Sequence, residues 1–413
     1  MHYGCIGEHL KHSFSKEIHG LLGDYRYEIR EIAPVDLDAF LRAGNFMGIN
    51  VTIPYKEKVI PYLSYIDRDA ESIGAVNTVV NRDGKLYGYN TDFYGMRSLI
   101  EHLHINMKDQ KVAVLGTGGT SKTARAVAES MGASCVLRVS RSAKEDAIDY
   151  ETLYREHCDI GVIINTTPCG MYPNPNGVAV DVSRFPRLIG VVDAVYNPLR
   201  PTLVLQAQSR GIPAEGGLYM LVAQAVRASE IFLDTVYPEE TLERVYQKVL
   251  RQKENLVLVG MPGSGKTTVG KLLAEQLGRE FCDMDVCIQN TIQQPVSEYL
   301  AAWGEPAFRD LEARVLAEQI AQRTSLVIAT GGGAILRDEN VAALRRNGRL
   351  YFLDRPIEEI QPTADRPLSS SVEALRKRYE ERYGRYCAVS DVHIKVQGSA
   401  ENVADHIRKE YNI

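Results

Sequence analysis

Two rhythms of apolar and polar positions run along this chain. Short β-branched runs, KVAVLG (111–116), CVLRVS (135–140), GVIINTT (161–167) and LIGVVDAVY (188–196), are separated by stretches with helical spacing. A second series, NLVLVG (255–260), SLVIATGG (325–332) and RLYFLD (349–354), repeats the alternation. Strands alternating with helices predict parallel α/β sheets. Between the two series, PEETLERVYQKVLRQK (238–253) places Leu242, Val245, Tyr246, Val249 and Leu250 on one helical face. Such an i, i+3, i+4, i+7, i+8 stripe needs a surface to pack on. The next strand starts at once. The join between the halves is therefore placed near residues 252–254, and its shortness predicts restricted movement of one half against the other.

Composition narrows the class. A chain of 413 residues is too long for one ordinary core, so two or three domains are expected. A formal charge of −5 gives no reason to expect nucleic acid or an anionic membrane as partner. The start, MHYGCIGEHLKHS, lacks a basic segment followed by an apolar one, and no apolar run is long enough to span a bilayer. Seven cysteines without a CxxC pairing read as reduced thiols, which points to a cytoplasmic setting. His9 and His12 are spaced i, i+3 but lack the companions of a metal site. The oligomeric state is open, a homodimer being one option.

Chemistry enters with GMPGSGKTTVG (260–270). It matches G-x-x-x-x-G-K-[ST], follows a predicted strand and precedes a helical pattern, the context of a phosphate-binding P-loop. Backbone N–H groups of Gly263, Ser264, Gly265 and Lys266 would surround a β-phosphate. Lys266 would reach the β- and γ-oxygens, Thr267 would bind Mg²⁺, and Thr268 falls on the same nucleotide side. FCDMD then offers Asp283 and Asp285, read as alternating on a strand end and facing one way. One carboxylate would serve Mg²⁺, the other would accept a proton from an attacking hydroxyl. GEPAFRDLE sets Arg309 and Glu312 at i, i+3, a carboxylate-held fork for a substrate carboxylate. The three glycines of ATGGGA, Gly331, Gly332 and Gly333, permit close approach of backbone to ligand. ADRPLS supplies Arg366, and ERYGRY supplies Arg382.

In this order the motifs resemble shikimate kinase, over about residues 255–410. The resemblance implies that Asp285 orients and deprotonates the shikimate 3-hydroxyl and that Asp283 supports Mg²⁺. It also implies that Arg309, backed by Glu312, and Arg382 grip the shikimate carboxylate, that Gly331–Gly333 line the substrate, and that Arg366 belongs to a lid over ATP. Two departures stand out: a short, Pro-rich lid segment, and Gly384 and Arg385 where the family has proline and leucine.

A second glycine loop, GTGGTSKTA (116–124), follows KVAVLG and opens a helix. Gly116, Gly118 and Gly119 fit a dinucleotide loop, although Ser121 replaces the third glycine of G-x-G-x-x-G. Where an NAD-type fold places an acid after the second strand, the chain reads Ser140, Arg141, Ser142. Arg141 would attract a ribose 2′-phosphate, so NADP is expected. Residues 1–100 hold many small donors and acceptors: Ser13 and Ser15 at strand spacing, Asn50, Thr52, Asn77, and the pair Lys56 and Asp92, a proton relay beside a reacting carbonyl. Gln224 sits on a helix further on. Such groups suit a neutral polyhydroxylated ring bearing one carboxylate.

Together, S-x-S, N-V-T-x-P-x-K, G-A-V-N-T, Y-N-T-D, G-x-G-G, N-T-T-P-x-G-M, D-x-x-Y-N-P and G-x-x-M-L-x-x-Q resemble shikimate dehydrogenase over about residues 1–250. The resemblance implies that Lys56 and Asp92 are catalytic. Ser13, Ser15, Asn50, Thr52, Asn77 and Gln224 would bind 3-dehydroshikimate or shikimate. Gly116, Gly118, Gly119, Ser140, Arg141, Thr166 and Met220 would serve NADP(H). Lys16 stands where the family has proline, and S-R-S replaces N-R-T. The expected architecture is a substrate lobe (1–100 plus 217–252), a Rossmann NADP lobe (101–216) with a cleft between, and a P-loop kinase domain (253–413). The expected function is a bifunctional enzyme that makes shikimate with NADPH and phosphorylates it with ATP and Mg²⁺. Three alternatives stand beside it: a quinate-tolerant dehydrogenase, one active half with an inert partner, and a ligand-sensing regulator built from inactive domains. The regulator would be expected to lack Lys56, Asp92, Lys266 or Asp285, and all four are present.

Overall fold

The computed structural model of the chain describes residues 1–8, 10, 14–143, 146–360 and 372–411. They divide into two compact units, Met1–Leu250 and Arg251–Ile413.

The first unit contains two six-stranded sheets. In one, β1 (Tyr3–Gly7) pairs in parallel with β2 (Tyr27–Glu31) and β3 (Gly48–Val51). β4 (Tyr65–Ile66) is the far edge, next to the hairpin of β5 (Thr78–Arg82) and β6 (Lys85–Tyr89). β5 runs antiparallel to β3, so this sheet, which lies outside the two apolar series, is mixed. The cause is local. Asp83 and Gly84 form a two-residue turn with φ of 53° and 79°, which only an antiparallel hairpin accommodates.

The second sheet is wholly parallel. β7 (Lys111–Leu115), β8 (Cys135–Ser140), β9 (Ile148–Asp149), β10 (Val162–Asn165), β11 (Gly190–Asp193) and β12 (Ala214–Glu215) lie in the order β12-β11-β10-β7-β8-β9. The chain reverses direction across the sheet between β7 and β10, where such folds open a ligand crevice at the strands' carboxyl ends.

Helices α1 (Ser15–Leu22), α2 (Leu37–Ala43), α3 (Arg68–Ile73) and α4 (Thr91–His102) precede the second sheet. α5 (Gly119–Ser130), α6 (Tyr150–Glu156) and α7 (Thr202–Ser209) lie between its strands. α8 (Leu218–Leu233) returns to pack on α4 and α1, followed by α9 (Glu240–Lys253). One apolar core joins these parts: Ile18, Met96, Val112, Ile164, Val222, Val245 and Val249 belong to it. The stripe on α9 thus finds its surface. β7 is buried on both faces, Val112 and Val114 toward this core, Ala113 and Leu115 toward another. Burial of each such aliphatic side chain contributes about 1.5–3 kcal/mol, which is why the run reads as continuously apolar.

The second unit is built on one parallel five-stranded sheet, ordered β14-β15-β13-β16-β17. Its strands are β13 (Asn255–Val259), β14 (Glu280–Asp283), β15 (Leu326–Ala329), β16 (Gly348–Asp354) and β17 (Val392–Lys395). Its helices are α10 (Lys266–Leu277), α11 (Met284–Ile292), α12 (Val296–Val315), α13 (Asp338–Asn347), α14 (Val372–Val389) and α15 (Ala400–Glu410). α12 is broken at Gly304 (φ 79°, ψ 170°), two residues before Pro306, so its carboxyl-terminal part starts afresh at Glu305. The expected α/β class therefore holds for both units. Among the described residues no helix is long and apolar enough to cross a membrane.

Candidate active sites

In the first unit the polar groups converge around the start of α4. Asn90 caps the helix, its Oδ1 accepting from Phe93 N at 3.2 Å. Thr91 N donates to Asn77 Oδ1 at 2.7 Å, which ties the helix to the segment leading into β5. Asp92 is thereby fixed, and Lys56 Nζ lies 2.5 Å from its Oδ2. The two side chains are only 20% and 14% exposed, so the pair is little screened by water. The loop bearing Lys56 is held in turn, because its carbonyl accepts from Val76 N at 2.8 Å.

A buried chain of hydrogen bonds links two more of the expected residues, Asn50 and Gln224. Tyr27 Oη donates to Asn50 Oδ1 (2.6 Å), and Asn50 Nδ2 donates to Thr78 Oγ1 (3.0 Å). The hydroxyls of Thr78 and Thr91 are 3.1 Å apart, and Thr91 Oγ1 donates to Gln224 Oε1 at 3.4 Å. Gly95 makes that last contact possible. A Cβ there would lie 2.6 Å from Met220 O, so α4 and α8 meet backbone to side and bring Gln224 and the buried Met220 close. Thr52 is half-buried on the loop after β3, its methyl against Gly7. Ser15 opens α1, so the strand spacing expected for Ser13 and Ser15 is corrected: KEIHGLL continues from it as an amphipathic helix. Ser13 lies outside the described residues, as do His9 and His12.

The glycine loop lies at the point where the second sheet reverses. Gly116 has φ 111°, and a Cβ on it would sit 2.8 Å from Thr166 Oγ1, which donates to Leu115 O at 2.6 Å. The loops after β7 and β10 thus touch through these two residues. Gly118 caps α5, and a Cβ on Gly118 or Gly119 would meet nothing within 4 Å, so the approach to the helix amino terminus is open. That opening suits a pyrophosphate. Ser121, the departure from the glycine pattern, is buried and donates to Gly118 O at 2.7 Å, closing the loop from beneath. Ser140 donates to Ser142 O, and Arg141 and Ser142 are exposed beyond β8. Sequence reasoning missed Arg138. Its Nη2 donates to Thr117 O at 3.0 Å and its Nη1 pairs with Asp146, so it braces the glycine loop.

In the second unit, Gly260, Gly263 and Gly265 all have positive φ (148°, 83° and 97°) and curl the P-loop over the amino terminus of α10. Lys266 Nζ donates to Gly260 O and Met261 O at 2.9 and 2.8 Å. The fully buried Ser264 hydroxyl has no partner among the described residues. Thr267 Oγ1 donates to Asp283 Oδ2 at 2.8 Å, and Thr268 is exposed beside it. A hydroxyl and a carboxylate side by side are hard oxygen donors of the kind Mg²⁺ takes together with phosphate oxygens. The cradle, its orphan hydroxyl and this donor pair fit a magnesium nucleotide.

Asp283 and Asp285 do not alternate along a strand, and that expectation is corrected. β14 ends at Asp283, which caps α11 by accepting from Asp285 N at 3.1 Å, and Asp285 stands in the first helical turn. An aspartate followed by M-D-V-C-I-Q is an N-cap signal. Asp285 remains near the glycine triplet. A Cβ on Gly331 would sit 3.0 Å from both Asp285 Oδ1 and Glu312 Oε1. On Gly333 it would overlap the Arg309 guanidinium at 2.2 Å, and on Gly332 it would meet the Pro262 ring at 2.7 Å. A side chain at any of the three would displace Asp285 and Glu312, the Pro262 ring or Arg309.

Arg309 is gripped on both sides. Nη1 donates to the buried Glu312 and Nη2 to Glu305, each at 2.9 Å. Glu305, which the sequence reading did not single out, takes the edge expected to be free for a substrate carboxylate. Arg309 first, then Arg378 and Arg382, hold its carboxyl below the usual range. Burial pushes Glu312 the other way, with Arg309 opposing. Arg382 is buried and donates from Nη1 to Gly332 O at 3.1 Å. Its neighbour Arg385 donates to Ile335 O at 2.9 Å and pairs with Asp338, while a Cβ on Gly384 would meet nothing. That departure anchors the turn after the glycines and leaves Arg382 in place. Arg366 lies outside the described residues. Arg355, also missed, follows β16. Its Nη2 is 3.8 Å from where a Cβ on Gly265 would be, and its buried Nε has no partner among the described residues.

These features define two enzymes in tandem, a dinucleotide-dependent one and a P-loop kinase. Known proteins agree on both halves. Residues 5–79 match the family described as Shikimate dehydrogenase substrate binding domain, and residues 262–412 match Shikimate kinase. A Clostridium perfringens protein named Shikimate dehydrogenase (NADP(+)) is 37% identical over 265 residues, covering 60% of this chain and 97% of its own length. Shikimate dehydrogenase 1 from Peptoclostridium difficile has a similar solved structure (36% identity, TM-score 0.54, 60% of this chain and 98% of its own). So does a chorismate mutase/shikimate 5-dehydrogenase fusion protein from Clostridium acetobutylicum (31%, TM-score 0.57, 60% and 96%). The chain belongs to the shikimate dehydrogenase family and carries a shikimate kinase domain at its carboxyl-terminal end. It is a bifunctional enzyme of the shikimate pathway, using NADP in one half and ATP with Mg²⁺ in the other.

Proposed function

We propose that the chain carries out two consecutive steps on one small molecule: NADPH-dependent reduction of 3-dehydroshikimate to shikimate, and phosphorylation of shikimate on its 3-hydroxyl. The observation that carries this reading is the pairing of each phosphate cradle with its own proton-handling carboxylate, Asp92 on Lys56 in the first unit and Asp285 beside Gly331 in the second. When bound, reduced nicotinamide supplies the hydride and Mg-ATP the phosphoryl group.

The chain's own residues do the rest. Lys56, held by Asp92, gives a proton to the carbonyl oxygen as it becomes a hydroxyl. Ser13, Ser15, Asn50, Thr52, Asn77 and Gln224 position the ring. Gly116, Gly118, Gly119, Thr166 and Met220 seat the dinucleotide, and Ser140, Arg141 and Ser142 take the 2′-phosphate. In the second unit Arg309 and Arg382 hold the substrate carboxylate, with Arg378 adding charge. Asp285 accepts the hydroxyl proton. Lys266 and Arg366 neutralise the phosphate chain, and Thr267 and Asp283 would hold Mg²⁺ against it, with Arg355 as a further cation beside the P-loop. The substrate lobe is assigned to residues 1–100 with 217–252, the NADP lobe to 101–216 and the kinase to 253–413. The cytoplasm is the proposed setting.

The test is to incubate the chain with 3-dehydroshikimate, NADPH, ATP and Mg²⁺ and to follow products by mass. Shikimate 3-phosphate formed at the expense of both cofactors is the expected result. Shikimate alone would remove the kinase half of the reading, and no turnover would leave the regulator in its place.

A further inference from the structure

The second unit contains a pair of thiols that the phosphoryl-transfer reading does not use. Cys282 is the penultimate residue of β14, and Cys287 lies in α11. Their Sγ atoms are 3.6 Å apart, Cys282 buried and Cys287 half-buried, and both are free. A disulfide needs about 2.05 Å between sulfurs, so the two elements have only to draw together by roughly 1.5 Å. Between the two cysteines lie Asp283 and Asp285.

We propose that Cys282 and Cys287 form a reversible dithiol–disulfide site, closed by hydrogen peroxide, that turns off phosphoryl transfer while leaving the dehydrogenase running. The proposal rests on the kinase reading above. Cys287, the more accessible sulfur, reacts first. Its thiolate attacks one peroxide oxygen, the O–O bond breaks, and the departing hydroxide takes up a proton as water. Cys287 is left as a sulfenic acid. Cys282 is buried, so it is shielded from bulk oxidant but stands beside Cys287. Its sulfur attacks Cys287 Sγ, the S–O bond breaks, a second water leaves and the S–S bond forms. Two thiols lose two electrons and two protons, and one peroxide becomes two waters. A thiol reductant reverses the sequence by exchange.

The consequence follows from what α11 carries. Asp283 caps this helix and at the same time accepts from Thr267 of the P-loop, and Asp285 is in its first turn. Pulling Cys287 onto Cys282 rotates that turn. A displacement of about 1 Å in a positioning group costs on the order of 10²-fold in rate.

The full-length chain is reduced, freed of reductant and treated with hydrogen peroxide. Both activities are then assayed in the same sample, phosphorylation of added shikimate and NADPH-dependent reduction of 3-dehydroshikimate. The expected result is a loss of about 2 Da, a cross-linked peptide containing Cys282 and Cys287, a kinase rate lowered at least ~10-fold, a dehydrogenase rate within ~2-fold of the untreated chain, and recovery with dithiothreitol. Cys287→Ser and Cys282→Ala should each keep their kinase rate under peroxide. Absence of the cross-link overturns the proposal. So does a cross-link that leaves the kinase rate unchanged, or equal inhibition of both variants, which would place the damage at another thiol. If the reduced chain has no kinase activity at all, the kinase reading fails instead, and the mass data still judge the cross-link.

Discussion

Glu305 Oε1 accepts from Arg309 Nη2 at 2.9 Å, on the side of the guanidinium away from Glu312. It is an internal carboxylate in the place where a substrate carboxylate is expected. Because α12 breaks at Gly304, Glu305 stands at a free helix start and can swing away. Binding then pays for that release, as for any ligand whose competent state is only part of the population. Glu305→Gln should lower KM for shikimate by about 3–10-fold, with kcat little changed. Trp303, the sole tryptophan and well exposed next to the break, should change emission on adding shikimate to the native chain and change less in the variant. A raised KM would show that Glu305 supports the site rather than competes for it.

The Lys56–Asp92 pair predicts a clean separation of the two activities. Lys56→Ala should reduce kcat for 3-dehydroshikimate reduction by ~10²–10⁴-fold, the usual worth of a positioned proton donor. Asp92→Asn should act in the same direction by disordering Lys56. Shikimate phosphorylation by either variant should match the native rate. An unimpaired reductase would remove Lys56 from the chemistry.

Cofactor choice is expected to depend on Arg141. Loss of one charge-assisted bond to an exposed phosphate is worth about 1.5 kcal/mol, roughly tenfold. Arg141→Ala should therefore raise KM for NADPH about tenfold and leave KM for NADH where it was. Equal effects on both dinucleotides would mean that Arg141 does not read the 2′-position.

Arg355 gives a prediction for ATP. Its guanidinium stands beside Gly265, and its buried Nε has no partner among the described residues. Arg355→Ala should raise KM for ATP by about tenfold, on the same estimate for a hydrogen bond to a charged group, while KM for shikimate stays constant. Titration with ATP at saturating shikimate checks it, and an unchanged KM for ATP would show that this side chain faces no phosphate.

Asp193 supplies a test of stability. It is fully buried at the end of β11, with Oδ1 accepting from Asn165 and from Val195 N, and Oδ2 without a partner among the described residues. Burial raises its carboxyl to about 7. A raised folded value means that the native state keeps a proton that the unfolded chain loses from about pH 4 upward. Stability from this group is thus complete below pH 4 and declines toward pH 7, by at most ~1.4 kcal/mol per pH unit. Asp193→Asn retains both accepted bonds and should flatten that decline in urea midpoints measured across the range. A native chain whose stability does not fall there would contradict the raised value.

Much of this was legible in the linear chain because glycines and strand patterns act locally. A P-loop needs its positive-φ residues in a fixed order, and buried parallel strands read as unbroken apolar runs whatever lies beside them. Two local signals were misread. Asp285 does not continue the strand, because Asp283 at the end of β14 caps the helix that follows, and Ser15 does not stand at strand spacing from Ser13, because KEIHGLL already has a helical stripe. What could not be read were contacts made between strands and loops far apart in sequence: Arg138 under the glycine loop, and Arg355 beside the P-loop because β16 happens to be the neighbour of β13. Glu305 lies between. Its i, i+4 spacing to Arg309 was visible, but only the break at Gly304 makes it a helix start aimed at that arginine.

Only Glu254 separates the last helix of the first unit from the first strand of the second. A cell that translates one catalyst therefore always translates one copy of the other. The ratio of reductase to kinase cannot be adjusted by transcription, message stability or ribosome loading. Any imbalance in flux between the two steps has to be corrected through the activity of each half on the finished polypeptide.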